Sequence, residues 1–142
     1  MKETEASRRR LQAFDLHELL DDQPPRKNIN VFHLDGDYAL RIAKIHDRFP
    51  AHRHPNGDEG WFVYRGRMRI DSRLGSVELQ AGQGALVPKG VEHSPVCLDD
   101  ETLVLVFNVR GLDIDPVDEE EFHQLGFEER DLHSSPDEGG DK

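Results

Sequence analysis

Residues 52–93 read HRHPNGDEGWFVYRGRMRIDSRLGSVELQAGQGALVPKGVEH. Three histidines (His52, His54 and His93) and one carboxylate, Glu59, stand in this stretch among glycines and short alternating segments. In a strand, residues i and i+2 face the same side, so His52 and His54 point one way and Arg53 the other. Pro50 and Pro55 bracket the pair, and Gly57 and Gly60 permit a bend that brings Glu59 back at the start of the next strand. His93 arrives just past Pro88-Lys89-Gly90, a turn in which Pro fixes φ and Gly can supply a positive one. Neutral imidazole and carboxylate are ligands for divalent transition metals. Four of them leave positions open on a five- or six-coordinate ion, as metal-centred catalysis or small-molecule capture requires.

Outward from this stretch the chain reads as short strands. Ile29 and Val31 alternate with polar residues up to the turn Asp35-Gly36-Asp37, and Tyr38 to Ile45 forms the next strand. Glu59 to Tyr64 closes at Arg65-Gly66. Met68 and Ile70 alternate with Arg67, Arg69 and Asp71, and Val77 with Leu79 repeats the pattern after Gly75. Ala85-Leu86-Val87, Glu92 to Cys97 and Thr102 to Val109 complete the set. Helices are expected only at the ends. Leu16, Leu19 and Leu20 recur at helical spacing behind Asp15, an N-cap with Glu18 three residues on, and Pro24-Pro25 stops the segment. Asp115-Pro116 reads as an N-cap and first helical position, predicting a helix over 116–125 with Phe122 and Leu125 as its apolar face and Gly126 as its stop. The fold class implied is all-β, a barrel or jelly roll with short flanking helices. The divisions are 1–27 (tail and helix), 28–112 (barrel) and 113–142 (acidic helix and tail).

The 142 residues suit one domain. A net charge of −11, from 18 basic and 29 acidic side chains, disfavours nucleic acid and anionic membranes. Residues 115–142 hold eleven acids and two bases, a net of −9, so most of the charge sits in this segment. Cys97 is the single cysteine, which excludes an intramolecular disulfide or a CxxC pair. No apolar run is long enough for a signal peptide or a membrane span. The expectation is a cytoplasmic protein.

The spacing within residues 52–93 resembles that of the cupin family. Its first motif has the general form G-x5-HxH-x3,4-E-x6-G, matched here by His52-Arg53-His54, four residues, Glu59, six residues and Gly66. Its second, G-x5-PxG-x2-H-x3-N, is matched by Gly82, five residues, Pro88-Lys89-Gly90, two residues and His93. Fifteen residues separate the motifs, as in compact single-domain cupins of the cupin-2 type, some of them labelled mannose-6-phosphate isomerase-like. The chain departs at the leading Gly, where it has His46, and at the final Asn, where it has Cys97. Neither position is a usual ligand. The strand-end histidine reads as exposed and the cysteine as a small core residue.

The resemblance implies a jelly-roll barrel, one divalent transition metal ion (zinc, iron, manganese or nickel) on His52, His54, Glu59 and His93, a small-molecule substrate or ligand, and frequent pairing as a homodimer. It does not imply one reaction. A metal-dependent oxygenase, a sugar-phosphate isomerase and a non-catalytic sensing module are all compatible with it. Trp61 and Val63 share Glu59's face of their strand and are the pocket candidates. Trp61 could stack on a flat ligand, although packing in the barrel is the reading favoured. Arg41, Arg65, Arg67 and Arg69 could meet an anion, but Arg67 and Arg69 read as an outer face. No Ser–His–Asp set, phosphate-cradling GxxxxGK[ST] or strand-borne GxGxxG is present.

Overall fold

The structure, a computed structural model, describes residues 11–22, 28–35, 37–109 and 111–126. The arginine run at 8–10, the Pro24-Pro25 stop, Gly36 and the terminal tail from 127 lie outside the described residues. Helix α1 (Leu16–Leu20) begins where its cap was expected: the Asp15 carboxylate accepts the Glu18 N–H at 2.9 Å. Ten strands follow: β1 (Asn28–Leu34), β2 (Tyr38–Ile45), β3 (His52–Arg53), β4 (Glu59–Arg65), β5 (Arg67–Ser72), β6 (Gly75–Gln80), β7 (Gly84–Val87), β8 (His93–Cys97), β9 (Thr102–Val109) and β10 (Asp115–Pro116). Helix α2 (Glu119–His123) comes last.

The strands form two five-stranded sheets, ordered β1-β2-β9-β4-β7 and β10-β3-β8-β5-β6. Every pairing is antiparallel. This is the all-β jelly roll expected from the turn spacing. One apolar cluster lies between the sheets. Ala43, Val63, Val87, Val104 and Val106 come to it from the first sheet, and Met68, Ile70 and Leu79 from the second. A smaller cluster, Leu16, Leu20, Ile42 and Leu103, seats α1 on the outer side of the first sheet. Strand β2 is therefore covered on both faces, and its residues from Ala39 to Lys44 are buried apart from a half-buried Arg41.

The C-terminal helix differs from expectation. Asp118 is its N-cap, accepting the Glu121 N–H at 2.9 Å, while Asp115-Pro116 is a strand. Asp115 pairs with Arg53 and Pro116 with His52. A proline is tolerated there because β10 is an edge strand. Phe122 is buried as expected, and Leu125 is exposed.

Candidate metal centre

The two sheets contribute unequally to the centre. His52 lies on β3 directly opposite His93 on β8, and His54 follows one residue past the end of β3. Glu59 opens β4 in the other sheet, between Val87 of β7 and Asn108 of β9. The bend between His54 and Glu59 leaves no room for a side chain at Gly57, where a Cβ would stand 2.7 Å from Val109 Cγ2. The turn before His93 is tied to the same bend. Lys89 N–H donates to Asp58 Oδ1 at 2.7 Å, Gly90 N–H donates to the His54 carbonyl at 2.8 Å, and Gly90 takes a φ of 81°.

All four side chains are buried, His93 completely, and one ligand atom from each lies within 4.8 Å of the others. Two ligand atoms each about 2.1 Å from an ion stand at most about 4.2 Å apart, so the cluster matches one ion after a closure of about half an ångström. The tautomers agree. Nδ1 of His52 bonds the Pro50 carbonyl at 2.8 Å, Nδ1 of His54 the Asp113 carbonyl at 2.8 Å, and Nδ1 of His93 the Val91 carbonyl at 2.9 Å. A carbonyl only accepts, so each Nδ1 carries the proton and each Nε2 turns a lone pair to the centre. That is the arrangement in which backbone carbonyls orient metal-binding imidazoles.

The carboxylate is held just as closely. Trp61 Nε1–H donates to Glu59 Oε1 at 3.0 Å and Asn108 Nδ2–H to Oε2 at 3.3 Å. Across the gap, His93 Nε2 is 3.3 Å from Oε1 and His54 Nε2 is 3.4 Å from Oε2. Lone pairs facing lone pairs at that distance need a cation between them, and His54 Nε2 is buried without a hydrogen-bond partner. The donor set thus fits a divalent transition metal ion. Without one, a proton takes the place. Burial lowers the His54 pKa, but the hydrogen bond and charge of Glu59 outweigh this and leave it raised. Burial likewise pushes Glu59 up, but the His54 and His93 hydrogen bonds and charges hold it well below the usual carboxylate range. His52 is pushed down to about 4, first by burial and then by the neighbouring His93, so it stays neutral at physiological pH.

Above the cluster is a cavity of about 120 Å³ lined by Arg41, Trp61, Val106, Phe49, Leu112 and Ile114, among others. Phe49, His46 and Ile114 are exposed and mark its mouth. Trp61 lines the cavity and also fastens Glu59. Val63, on the same face of β4, lies one pair deeper in the core and is not among the lining residues. His46 is at the rim, 3.0 Å from Asp47. Cys97 is away from the centre, its Sγ 3.3 Å from Thr102 Oγ1.

Sequence reasoning missed Asn108, the Asp113 carbonyl and the pocket residues Phe49, Leu112 and Ile114. Asn108 could have been found by extending the two-residue period of β9 onward from the core positions Val104 and Val106. Nothing local marks the others.

Residues 40–109 match the family model described as Cupin domain. The chain is 30% identical over 112 residues to the polyketide synthase CurC of Streptomyces cyaneus, covering 79% of this chain and 68% of that protein. It is 31% identical over 90 residues to the protein SchB of Streptomyces halstedii, covering 61% of this chain and 65% of that one. A crystal structure of a cupin-2 domain containing protein from Shewanella frigidimarina superposes with a TM-score of 0.60 at 27% identity, over 66% of this chain and 89% of the other. The chain belongs to the cupin superfamily.

Proposed function

We propose that this cupin holds one divalent transition metal ion (zinc, iron, manganese or nickel) on His52, His54, Glu59 and His93 and uses it to act on a small organic molecule in the overlying cavity. The observation that carries this reading is the convergence of three Nδ1-anchored imidazoles on a carboxylate, with lone pairs opposed at 3.3–3.4 Å. When bound, such an ion supplies Lewis acidity toward an oxygen of the substrate. The chain's own residues do the rest. Trp61 and Asn108 fix the carboxylate, the three backbone carbonyls fix the imidazole planes, and Val106 and Leu112 give the cavity apolar walls, with Ile114 at its mouth. The apolar lining suits a carbon-rich substrate better than a sugar phosphate, and the likeness to CurC supports a substrate of polyketide type. An oxygenase and a carbon-skeleton cyclase are both compatible with this site.

The reading is tested by metal content and turnover. Purified protein should carry about one transition metal per chain, and His93→Ala should release it. Metal-free protein that stays so after incubation with zinc, iron, manganese and nickel would overturn the proposal. A sensing module is the second reading, favoured by the position of the lining acid–base groups other than the candidate ligands, His46 and Asp47, which are exposed and paired with each other at the rim. Ligand binding without turnover would select it. We further propose a homodimer through the outer face of the first sheet, where Phe62, Leu86 and Phe107 are exposed together. Sedimentation of Phe107→Glu should give a monomer.

A further inference from the structure

Arg41 is a cation with no evident structural purpose. The register places it in one cross-strand row with Val106 and Trp61, beside the row that holds Asn108 and Glu59. Its side chain lines the cavity, and its Nε is buried without a hydrogen-bond partner. The other six described arginines (Arg48, Arg53, Arg65, Arg67, Arg69 and Arg73) each have a carboxylate within ion-pair distance. In a chain with 29 acids and 18 bases, a half-buried guanidinium without a carboxylate partner among the described residues is not explained by a shortage of partners. Desolvating part of a charge without pairing it is costly, and no described carboxylate is within ion-pair distance of Arg41.

Charge counting bears on what would pair with it. With a divalent ion on the four candidate ligands, the floor of the cavity holds +2 from the ion, −1 from Glu59 and +1 from Arg41, while the remaining lining carboxylate, Asp47, stands at the exposed rim against His46. A neutral occupant would leave this sum uncompensated against apolar walls. The walls themselves (Trp61, Val106, Phe49, Leu112) ask for a carbon-rich body. The volume of about 120 Å³ is that of one small ring, since a cavity of about 150 Å³ holds benzene.

We propose that the substrate is a small, ring-sized organic anion whose negative oxygen is bound by the Arg41 guanidinium while its apolar body lies against Trp61 and Val106. This deepens the metal-dependent reading of the same site and rests on it. Arg41 is then the residue that sets specificity for acids over their neutral counterparts.

Trp61 is the only tryptophan, so its emission reports the cavity directly. The test titrates zinc-loaded protein with benzoate, benzamide and acetate, following Trp61 emission, with metal content measured on every sample. Benzoate should bind at least about tenfold more tightly than benzamide, the worth of a charge-assisted hydrogen bond, and acetate only weakly for want of a body. Arg41→Gln should cost benzoate about ten- to a hundredfold while metal content is unchanged, and Arg41→Lys should recover part of the loss. Equal binding of benzoate and benzamide to the wild-type protein overturns the inference, as does undiminished benzoate binding by metal-loaded Arg41→Gln. Wild-type protein that takes up no metal marks failure of the metal reading instead. In that case the benzoate–benzamide comparison on the metal-free protein still decides whether Arg41 binds the anion.

Discussion

Phe122→Ala tests whether the C-terminal segment is part of the centre or merely attached to it. Residues 112–122 form a strap across the mouth of the barrel. Leu112 and Ile114 line the cavity, and the Asp113 carbonyl takes the His54 Nδ1–H. Asp115 pairs with Arg53, Val117 N–H donates to the Ala51 carbonyl at 3.2 Å, and Glu119 accepts the Ala51 N–H at 2.6 Å and pairs with Arg48. Phe122 is the fully buried anchor at its end, 1% exposed. Truncating a buried Phe costs about 3–5 kcal/mol. Strand β10 has only two paired residues, so the loss should be felt as local undocking of the strap before any global unfolding. An undocked strap removes the carbonyl that holds His54 in its Nδ1–H tautomer. Loss of such an orienting partner weakens metal binding by about 10- to 100-fold, or about 1.4–2.7 kcal/mol. Chelator competition with zinc gives the affinity. Amide exchange at Val117, compared with Leu105 in the sheet, reports the docking. If Val117 exchange accelerates while zinc affinity stays within about twofold of wild type, the strap does not orient His54 and the reasoning fails.

Three further outcomes are expected. Raised proton affinity at His54 stabilises the metal-free protein below the unfolded value of about 6.5, and this is lost as pH rises through the higher folded value. Metal needs that Nε2 free, so the rise in Tm on adding zinc should grow with pH across the same window. An increment independent of pH would contradict the site. Glu119 is held below its ordinary value because the Arg48 and Ala51 hydrogen bonds outweigh its desolvation, so strap docking should weaken as pH falls from about 4.5 through the lower folded value, seen as faster Val117 exchange. The effect should be small, since the Glu119 side chain is 39% exposed. Gly57→Ala would press a Cβ to 2.7 Å from Val109 Cγ2 and 3.2 Å from Leu112 Cδ1, and should cost about 1–3 kcal/mol in denaturant melts.

The donor set was legible because its spacing is short-range. His52 and His54 differ by one strand repeat, and the bend residues before Glu59 and the turn before His93 are written in Gly and Pro. The face of β4 was legible too, since Glu59 sets the parity for Trp61. Arg41 was not. A period of two shows which residues share a face but not which face is inside, and β2 is apolar on both because α1 covers its outer side. The helix at 116–125 failed for a related reason. Asp115-Pro116 has the right residue types for a helix start, but pairing of β10 with β3 and the better cap at Asp118 take the helix three residues onward. Local propensity was outbid by a contact some sixty positions away in sequence, which no window of the chain displays.

Strand β3 connects these findings. It is two residues long, paired with β8 only through His52 and His93 and with β10 through two residues of the strap. So short a strand is poorly held by its own ladder. What keeps His52 and His54 facing Glu59 is the strap on one side and, on the metal-binding reading, the ion on the other. Both stabilise the same arrangement, and their effects are therefore linked. Whatever factor strap undocking takes from metal affinity, metal removal must take from strap docking. The ion would also join the two sheets, since Glu59 belongs to one, His52 and His93 to the other, and His54 directly follows β3. At a thousand times its dissociation constant it would add about 4 kcal/mol of stability, with the gain in amide protection concentrated in β3 and the strap rather than spread over β2, β4 and β9.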